Sequence, residues 1–348
     1  MTPLSSGPDP DLAPVPRREG WWDRRLGFPA IRAYLDSFSV PGGGSWAHAL
    51  GGALVTLLLF EAVTGLLLLF YYEPDPAGAH RSVTAIAETV RFGWLVRSLH
   101  HWGAHATVAV VFLHVAVTFL RRAFCAPREV TWWLGLSLGL AIMGLAFSGT
   151  VLPWDGPALY AAQVGGAILQ SVPGVGPGLA DIARGGPAIG PATLHRAYVT
   201  HAFVLPAFLL LASAAHLFLV HAHGLAPDPT TAGRTSWRTF LPRAALGWLL
   251  LVHVIVVLAA LRPPLVQPAI DLVASDSPPR PPWFLMAVFQ LARRAPAWAC
   301  VATLAAAVSV LVAAPAWGKL RHGKRATFAV GLTLALGLLV LTVLGYGG

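Results

Sequence analysis

The sequence predicts an all-α membrane protein, in which a four-helix bundle is followed by three further transmembrane helices. Of its 348 residues, 56% are hydrophobic and only 11% are charged, and the mean hydropathy is +0.65. Several runs of about 20 apolar residues are long enough to cross a bilayer as helices. These observations exclude an ordinary soluble domain.

We expect seven spans, one for each long apolar run. They cover residues 46–72, 98–119, 131–152, 199–222, 241–261, 283–316 and 326–346. The sixth run is longer than one span, so its beginning, Pro281–Pro296, is predicted to be a surface element before the helix proper. Two longer Pro- and Gly-rich loops, Pro153–Leu194 and Arg262–Pro282, are candidates for a binding site or a partner contact.

The charge distribution predicts the division of the chain and its orientation. Residues 1–45 form a polar arm, in which Trp21–Phe38 are predicted to make an amphipathic helix on the membrane surface. Residues 46–225 form the bundle, and residues 226–348 form the three-helix part. Fifteen of the 24 Lys and Arg residues lie in the arm and after the second, fourth and sixth spans, which predicts a cytoplasmic N-terminus. The net charge of +9 therefore reflects topology, and no nucleic-acid binding is expected.

Four histidines form two matched pairs in the second and fourth spans. His114 stands at position i+14 from His100, and His216 stands at position i+15 from His201. Four helical turns take about 14.4 residues and rise about 21 Å, so each pair lies on one face of its helix. Two such helices side by side present two facing pairs, the bis-imidazole ligation of two b-type haems. One alternative is zinc, for which no thiolate or carboxylate cluster exists. Another is His101 in place of His100, which shortens the spacing to i+13.

Glycines in the first and third spans repeat the same interval. Gly65 stands at position i+14 from Gly51, and Gly149 has the same spacing from Gly135. Because glycine lets a helix backbone approach its neighbour closely, we expect a flat porphyrin beside each of them. The alternative is ordinary packing of small residues between membrane helices.

Two arginines are candidates for the counter-charges of haem propionates. Arg97 lies three residues before His100, and Arg196 lies five residues before His201. A charge buried in lipid costs about 2.5–3.5 kcal/mol, so an anionic partner is expected. The alternative is that both are exposed loop arginines.

Three sequence motifs carry a resemblance to a known family. They are GWLVRSLHHWGAHATVAVVFLH at Gly93–His114, LPWD at Leu152–Asp155 and HAFVLP at His201–Pro206. They resemble cytochrome b of the quinol-oxidising cytochrome bc complexes, and the resemblance extends from about Asp23 to the C-terminus. The longer spacing in the fourth span and the seven spans resemble the plastid and cyanobacterial type, with its small subunit fused on.

The resemblance implies two non-covalent haems at different depths in the membrane. His100 and His201 would bind the low-potential haem near the outer face, and His114 and His216 the high-potential haem near the cytoplasm. Ala49 stands where the plastid type has the cysteine that anchors a third haem, so no covalent haem is expected.

The resemblance also implies quinone sites, partners and a location. His221 matches a histidine of the quinone-reducing site on the cytoplasmic side. The expected partners are a Rieske-type iron–sulfur protein, a cytochrome c-type or multihaem subunit, quinones and membrane lipid, in a homodimeric complex. The implied location is the cytoplasmic membrane of a prokaryote.

The chain departs from the family at the quinol-oxidation motif. Where the family has Pro-Glu-Trp-Tyr, this chain has Pro281, Pro282, Trp283 and Phe284. Trp283 remains a candidate for the catalytic site. Proline offers no side-chain acceptor and no N–H, so Pro282 cannot accept the quinol proton as a carboxylate does.

Three carboxylates are candidates to replace the missing glutamate. Asp276 lies six residues before Pro282, Asp155 follows the LPW motif, and Glu61 lies inside the first span, where related chains usually have Gln. An ionisable group within the membrane indicates a functional site. The alternative for Glu61 is a protonated, hydrogen-bonded structural residue. For Asp155 and Asp276 the alternative is a solvated loop residue.

The motifs support three functions of different classes. In the first, one electron from quinol goes to the Rieske partner, and the other crosses both haems to a quinone near His221, with proton uptake from the cytoplasm. In the second, suggested by Pro282, the chain is a non-bifurcating dihaem wire or anchor between a peripheral redox protein and the quinone pool. The third, a structural subunit without redox activity, conflicts with four intact ligands.

Overall fold

The computed structural model describes residues 37–227, 233–269, 280–317 and 322–346, together with Leu320 and a few residues between 21 and 33. The predicted surface helix Trp21–Phe38 falls mostly outside the described residues, and Asp276 lies outside them. Helices dominate the described part, which confirms the all-α prediction.

The described helices are named here in chain order. They are α1 (Leu50–Leu69), α2 (Ala79–Glu88), α3 (Gly93–Leu120), α4 (Glu129–Val151), α5 (Gly156–Gln170), α6 (Gly176–Arg184), α7 (Pro191–Val199), α8 (Leu205–His223), α9 (Trp237–Leu261), α10 (Trp283–Arg294), α11 (Ala297–Trp317) and α12 (Gly323–Tyr346). Short 3₁₀ turns, Gly42–Gly44 and Trp46–Ala49, precede α1, and a π-helical turn, Thr200–Val204, joins α7 to α8. Two three-residue strands, β1 (Ser39–Pro41) and β2 (Arg234–Ser236), pair antiparallel.

Among the described residues, seven helices are long and apolar enough to cross a membrane, as predicted. They are Trp46–Leu69, Gly93–Leu120, Glu129–Val151, Pro191–His223, Trp237–Leu261, Ala297–Trp317 and Gly323–Tyr346. Five of them begin earlier than expected, most of all those that begin at Gly93 and Pro191, because the residues before the predicted starts are also helical. The sixth apolar run does divide into a short helix, α10, and a separate span, α11.

The expected loop Pro153–Leu194 contains helices. Asp155 begins α5 by accepting a hydrogen bond from the Ala158 N–H at 2.9 Å, and Pro157 fits the first turn, where no N–H partner is needed. The turn after α6 passes through Gly185, whose φ of +81° is accessible to glycine at little cost. This segment is therefore an ordered layer over one end of the bundle.

The bundle is built from two helix pairs. α1 packs along α3, α4 packs along α8, and α3 and α4 are neighbours. Their buried contact surface includes Val108 and Val111 of α3, Ile142 of α4 and Leu209 of α8, and α10 adds Phe284 to the same cluster. α10 thus packs one apolar face directly against the bundle.

Large apolar side chains cover the outside of the spans. Leu210 and Leu211 on α8 are more than 70% exposed, and Leu249 on α9 is 67% exposed. Exposed apolar surface on this scale is unfavourable in water, whereas lipid tails cover it without cost. The exposed surface therefore agrees with seven membrane spans.

Candidate haem and quinone sites

Each of the four predicted glycines lies against the imidazole edge of one predicted histidine. The distances from a Cβ built on each glycine to the histidine Cε1 are Gly51–His114 4.0 Å, Gly65–His100 3.2 Å, Gly135–His216 3.1 Å and Gly149–His201 2.8 Å. The structure thus adds a histidine ring as the neighbour of each glycine, and the porphyrin contact stays a prediction. At Gly65, Gly135 and Gly149 the missing Cβ leaves room for the imidazole, whereas a Cβ on Gly51 would make an ordinary contact.

His100 and His201 face each other across the bundle. Their ring centroids are 6.2 Å apart and their planes are inclined by 81°. Two imidazoles bound to one metal by bonds of about 2 Å have ring centres about 6 Å apart, so the pair fits an iron between its rings. His101 instead packs against His105, with ring centroids 4.5 Å apart. The structure therefore places His100, and not its neighbour, opposite His201.

Hydrogen bonding fixes the tautomer of His201. Its Nδ1 lies 3.0 Å from the Leu145 carbonyl oxygen, which can only accept. The Ser148 hydroxyl lies 3.2 Å from the same nitrogen and donates to the Gly144 carbonyl at 2.8 Å. Nδ1 must therefore carry the proton, which leaves the Nε2 lone pair free to bind a metal.

His100 has the same arrangement with a carboxylate added. Its Nδ1 lies 3.0 Å from Thr64 Oγ1 and 3.0 Å from Glu61 Oε2. The Thr64 hydroxyl donates to the Phe60 carbonyl at 2.9 Å, so its oxygen accepts from Nδ1–H. With the proton on Nδ1, which both contacts can accept, the Nε2 lone pair of His100 is also free for a metal.

The other pair, His114 and His216, has a different environment. Both Nδ1 atoms are buried, and neither makes a hydrogen bond of standard geometry among the described residues, although the Thr131 backbone interacts with His216. A buried polar atom without a partner costs about 1–3 kcal/mol and calls for an explanation by water, an ion or a bound group. The two rings lie against Gly51 and Gly135, as the rings of the first pair lie against Gly65 and Gly149.

A π-helical turn accounts for the longer histidine spacing in the fourth span. His201 lies in Thr200–Val204, the π turn that joins α7 to α8. Such a turn accommodates one extra residue, so the i+15 spacing here is equivalent to i+14 in a regular helix. Pro206 has no N–H for the normal i→i−4 bond, and it is the sequence signal that predicts this irregularity.

The two predicted propionate partners contact backbone carbonyls. The Arg97 guanidinium donates to the Pro264 carbonyl at 2.9 and 3.0 Å, and Arg196 donates to the Ile182 carbonyl. Both arginines therefore hold segments at the same end of the bundle as His100 and His201. Their role toward a propionate stays a prediction.

Trp283 reaches the bundle at a histidine of α3. Its Nε1–H donates to His105 Nδ1 at 3.0 Å, and the His105 ring also packs edge-on against Phe284, with centroids 5.3 Å apart. His105 lies five residues after His100, which is about 7.5 Å further along the helix axis. The sequence does not predict His105 as a partner of Trp283, because nothing in its spacing distinguishes it from a packing residue.

The three candidate carboxylates have different surroundings. Asp155 is buried and caps α5, so its interpretation as a solvated loop residue is wrong. Burial raises the pKa of its carboxyl, and the hydrogen bond from the Ala158 N–H opposes that shift. Glu61 contacts His100, and its Oε1 occupies the space that a Cβ on Gly103 would fill. Asp276 lies outside the described residues.

Glu61 and Trp283 contact opposite sides of α3. Glu61 reaches α3 at His100 and Gly103, whereas Trp283 reaches it at His105. At 100° per residue, Gly103 and His105 are about 160° apart around the helix. The structure therefore does not bring Glu61 and Trp283 together in one site.

The other end of the bundle carries the predicted quinone-reducing histidine. The His221 ring lies against Phe38, with centroids 4.4 Å apart, and the β1–β2 pair that follows Phe38 holds the arm beside the start of α9. Arg128, His223 and Arg234 line a neighbouring cavity of about 350 Å³. Several polar and basic side chains thus lie close together at this end of the bundle.

This fold and this site define a class of protein, namely a multi-pass helical membrane protein with paired histidines inside its bundle. The profile of the family described as cytochrome b/b6/petB matches residues 35–224. The chain belongs to the cytochrome b family, as its motifs predicted, and is accordingly a haem-binding, electron-transferring membrane protein.

Relatives match both parts of the chain. Cytochrome b6 of Tupiella akineta is 35% identical over 205 residues, which are 59% of this chain and 95% of that protein. The cytochrome bc complex cytochrome b subunit of Chlorobaculum thiosulfatiphilum is 34% identical over 297 residues, which are 82% of this chain and 69% of that protein. A solved chain of a hyperthermophilic respiratory Complex III has the same fold, with a TM-score of 0.80 and 22% identity over 94% of this chain and 91% of that one.

Proposed function

We propose that this chain is the dihaem cytochrome b subunit of a quinol:electron-acceptor oxidoreductase, carrying electrons across the membrane between two quinone sites and coupled to proton translocation. The observation that carries the proposal is the pairing of His100 and His201, with ring centroids 6.2 Å apart and both Nε2 atoms free. The second pair, His114 and His216, lies about 21 Å further along the same helices. Two such pairs hold cofactors at both depths of the bilayer.

The chain's own contribution is ligation, orientation and exclusion of water. His100 and His201 would hold one b-type haem, and His114 and His216 the other. The haem supplies the one-electron chemistry when it is bound. Gly51, Gly65, Gly135 and Gly149 lie against the imidazoles, and Arg97 and Arg196 are our candidates for contacts with the propionates of the outer haem.

We place quinol oxidation beside Trp283 and the LPWD motif. The Trp283–His105 hydrogen bond puts a polar pair at the junction of α10 and α3, close to the outer histidine pair. With Nδ1 of His105 accepting from the indole, its Nε2–H is left as a donor for a quinone oxygen. Quinone reduction belongs at the other end, where His221 packs against Phe38.

The assembly follows from the function and from the family. Relatives are subunits of bc complexes by name, so we propose a Rieske-type iron–sulfur protein and a cytochrome c-type or multihaem subunit as partners, in a homodimeric complex. We place it in the prokaryotic cytoplasmic membrane with a cytoplasmic N-terminus. The three-helix part corresponds to a fused small subunit.

Haem content and potential test the proposal directly. The purified protein is expected to contain two b-type haems per chain, reduced by dithionite, and a redox titration of the haem absorbance is expected to resolve two midpoint potentials. A single haem per chain, or none, would overturn it.

A second function is favoured by the substitution at Pro282. A chain without a carboxylate in the oxidation motif is suited to a wire that passes electrons between a peripheral redox protein and the quinone pool without bifurcation. Both functions need two haems. The identity of the partner that co-purifies, an iron–sulfur protein or another redox subunit, separates them.

Trp283→Phe is expected to lower kcat/KM for quinol by about fivefold, because the lost hydrogen bond to His105 is worth about 1 kcal/mol. The measurement is steady-state quinol:acceptor turnover of the purified complex, normalised to haem. Trp298→Phe is the matched control, since Trp298 is 65% exposed at the start of α11. An equal loss in both variants would show that the effect is not specific to the Trp283 contact.

A further inference from the structure

Glu61 places a carboxylate behind a proposed haem ligand. It lies on α1, four residues before Gly65, and its side chain is only 16% exposed. Oε2 lies 3.0 Å from His100 Nδ1. Gly103 of α3 leaves the space for Oε1, because a Cβ there would overlap that atom. Two glycines, Gly65 and Gly103, thus let α1 and α3 enclose this contact.

Ligation of an iron determines which atom donates. An iron on Nε2 of His100 requires the ring proton to be on Nδ1, so Oε2 of Glu61 must accept. Among the described residues Oε1 is without a partner in either protonation state, and it is the iron on Nε2 that makes Nδ1–H the donor and Oε2 of Glu61 the acceptor.

We propose that Glu61 is a positioning residue that orients His100 and lowers the potential of the haem of the outer pair. This inference rests on the proposed function, in which His100 and His201 hold a haem. A carboxylate that accepts from the second nitrogen of a ligating histidine fixes its orientation and raises its basicity. A more basic ligand, with a negative charge behind it, favours ferric over ferrous iron.

The inner pair supplies the contrast. His114 Nδ1 and His216 Nδ1 have no hydrogen bond of standard geometry among the described residues, and the group that interacts with His216 is the neutral Thr131 backbone, so neither ring is polarised by a carboxylate in this way. The fourth ligand, His201, donates to the neutral Leu145 carbonyl. Among the four ligands, a carboxylate contact is therefore described for His100 alone.

Glu61→Gln tests this role, with Glu73→Gln as the matched control. Glu73 bears the same charge just beyond the same helix, but it is exposed and paired with Arg81 at 3.2 Å. We expect Glu61→Gln to retain both haems and to shift the ferric–ferrous equilibrium of the outer haem at least tenfold toward ferrous, which is about 59 mV for a one-electron couple. The inner haem, and both haems of Glu73→Gln, are expected to keep their potentials.

Low-spin EPR spectra provide a second readout, since a change in imidazole orientation or basicity moves the signal of the outer haem. Glu61→Asp keeps the charge and lengthens the contact, so we expect a smaller shift of the same sign. If Glu61→Gln loses the outer haem, the potential of Glu61→Asp decides, and an unchanged value would overturn the inference. Unchanged potentials in Glu61→Gln with both haems present would overturn it as well.

The proposed function and the role of Glu61 fail on different results. If the wild-type protein lacks a haem on the outer pair, the proposed function fails and this inference with it. If two haems are present but the Glu61 variants have the same haem potentials as the wild-type protein, the proposed function stands and the role of Glu61 does not.

Discussion

His201→Ala is expected to remove the outer haem and to leave the inner haem in place. His201 supplies one of the two facing imidazoles, and its ring is held at Nδ1 by the Leu145 carbonyl. Alanine leaves no ligand on that side of the bundle, and five-coordinate haem bound by His100 alone has lost half of its axial bonding. The haem content, measured by the pyridine haemochrome assay, should fall by half, and the lower of the two midpoint potentials should disappear.

His101→Ala is the control for that variant. His101 is the neighbour of a predicted ligand, but its ring packs against His105, whereas the ring that faces His201 is that of His100. Both haems should remain, with their potentials within error of the wild-type values. Loss of a haem in His101→Ala with retention in His100→Ala would contradict the ligand assignment.

Gly149→Ala is expected to lose most of the outer haem although it adds a single methyl group. The new Cβ would lie 2.8 Å from His201 Cε1, closer than atoms in van der Waals contact approach, so the imidazole must move. That ring is held by the Leu145 carbonyl and the Ser148 hydroxyl, and a shift breaks these bonds and the facing geometry. Haem content and the potential of the remaining haem measure the effect.

Gly51→Ala is the matched control, because its Cβ would lie 4.0 Å from His114 Cε1, an ordinary contact. Both haems should be retained. Substitutions at Gly65 and Gly135, where the distances are 3.2 and 3.1 Å, should have intermediate effects. Equal haem loss in all four alanine variants would indicate that helix packing in general, and not the histidine contacts, is being disturbed.

The pairing of glycines with histidines shows what the sequence can predict. The i+14 interval on three helices is a property of helical geometry, and it correctly indicates which faces meet. The partner of each glycine is not predictable from spacing, because a small residue admits any neighbour that fits. The structure alone shows that an imidazole edge occupies each space.

A hydroxyl residue before a glycine recurs at both histidines of the outer pair. Thr64 precedes Gly65, and Ser148 precedes Gly149, and in both cases the hydroxyl lies within 3.2 Å of the Nδ1 of the histidine that packs on the glycine. The two halves of the bundle therefore build the outer pair in the same way. A hydroxyl residue immediately before each of these glycines is the sequence signal.

Contacts between distant segments are not accessible from the sequence. Glu61 belongs to α1, and its sequence position indicates only a candidate proton acceptor, whereas its distance to His100 depends on how α1 and α3 cross. The same holds for Trp283 and His105, which are 178 residues apart in the chain. The role of Asp155 is missed for another reason. The segment that contains it is expected to be a loop, and a residue that caps a helix cannot be recognised where no helix is predicted.

Oxidant-induced reduction of haem b tests the central claim most directly. The complex is purified with its native partners, poised with quinol and blocked at the cytoplasmic-side site, and a fast oxidant is then added while the haem b absorbance is followed. We expect transient reduction of haem on addition of the oxidant, which only divided electron transfer from quinol produces. No reduction under these conditions, with dithionite still reducing two haems per chain, would contradict quinol oxidation at the Trp283 site and leave the chain as a wire.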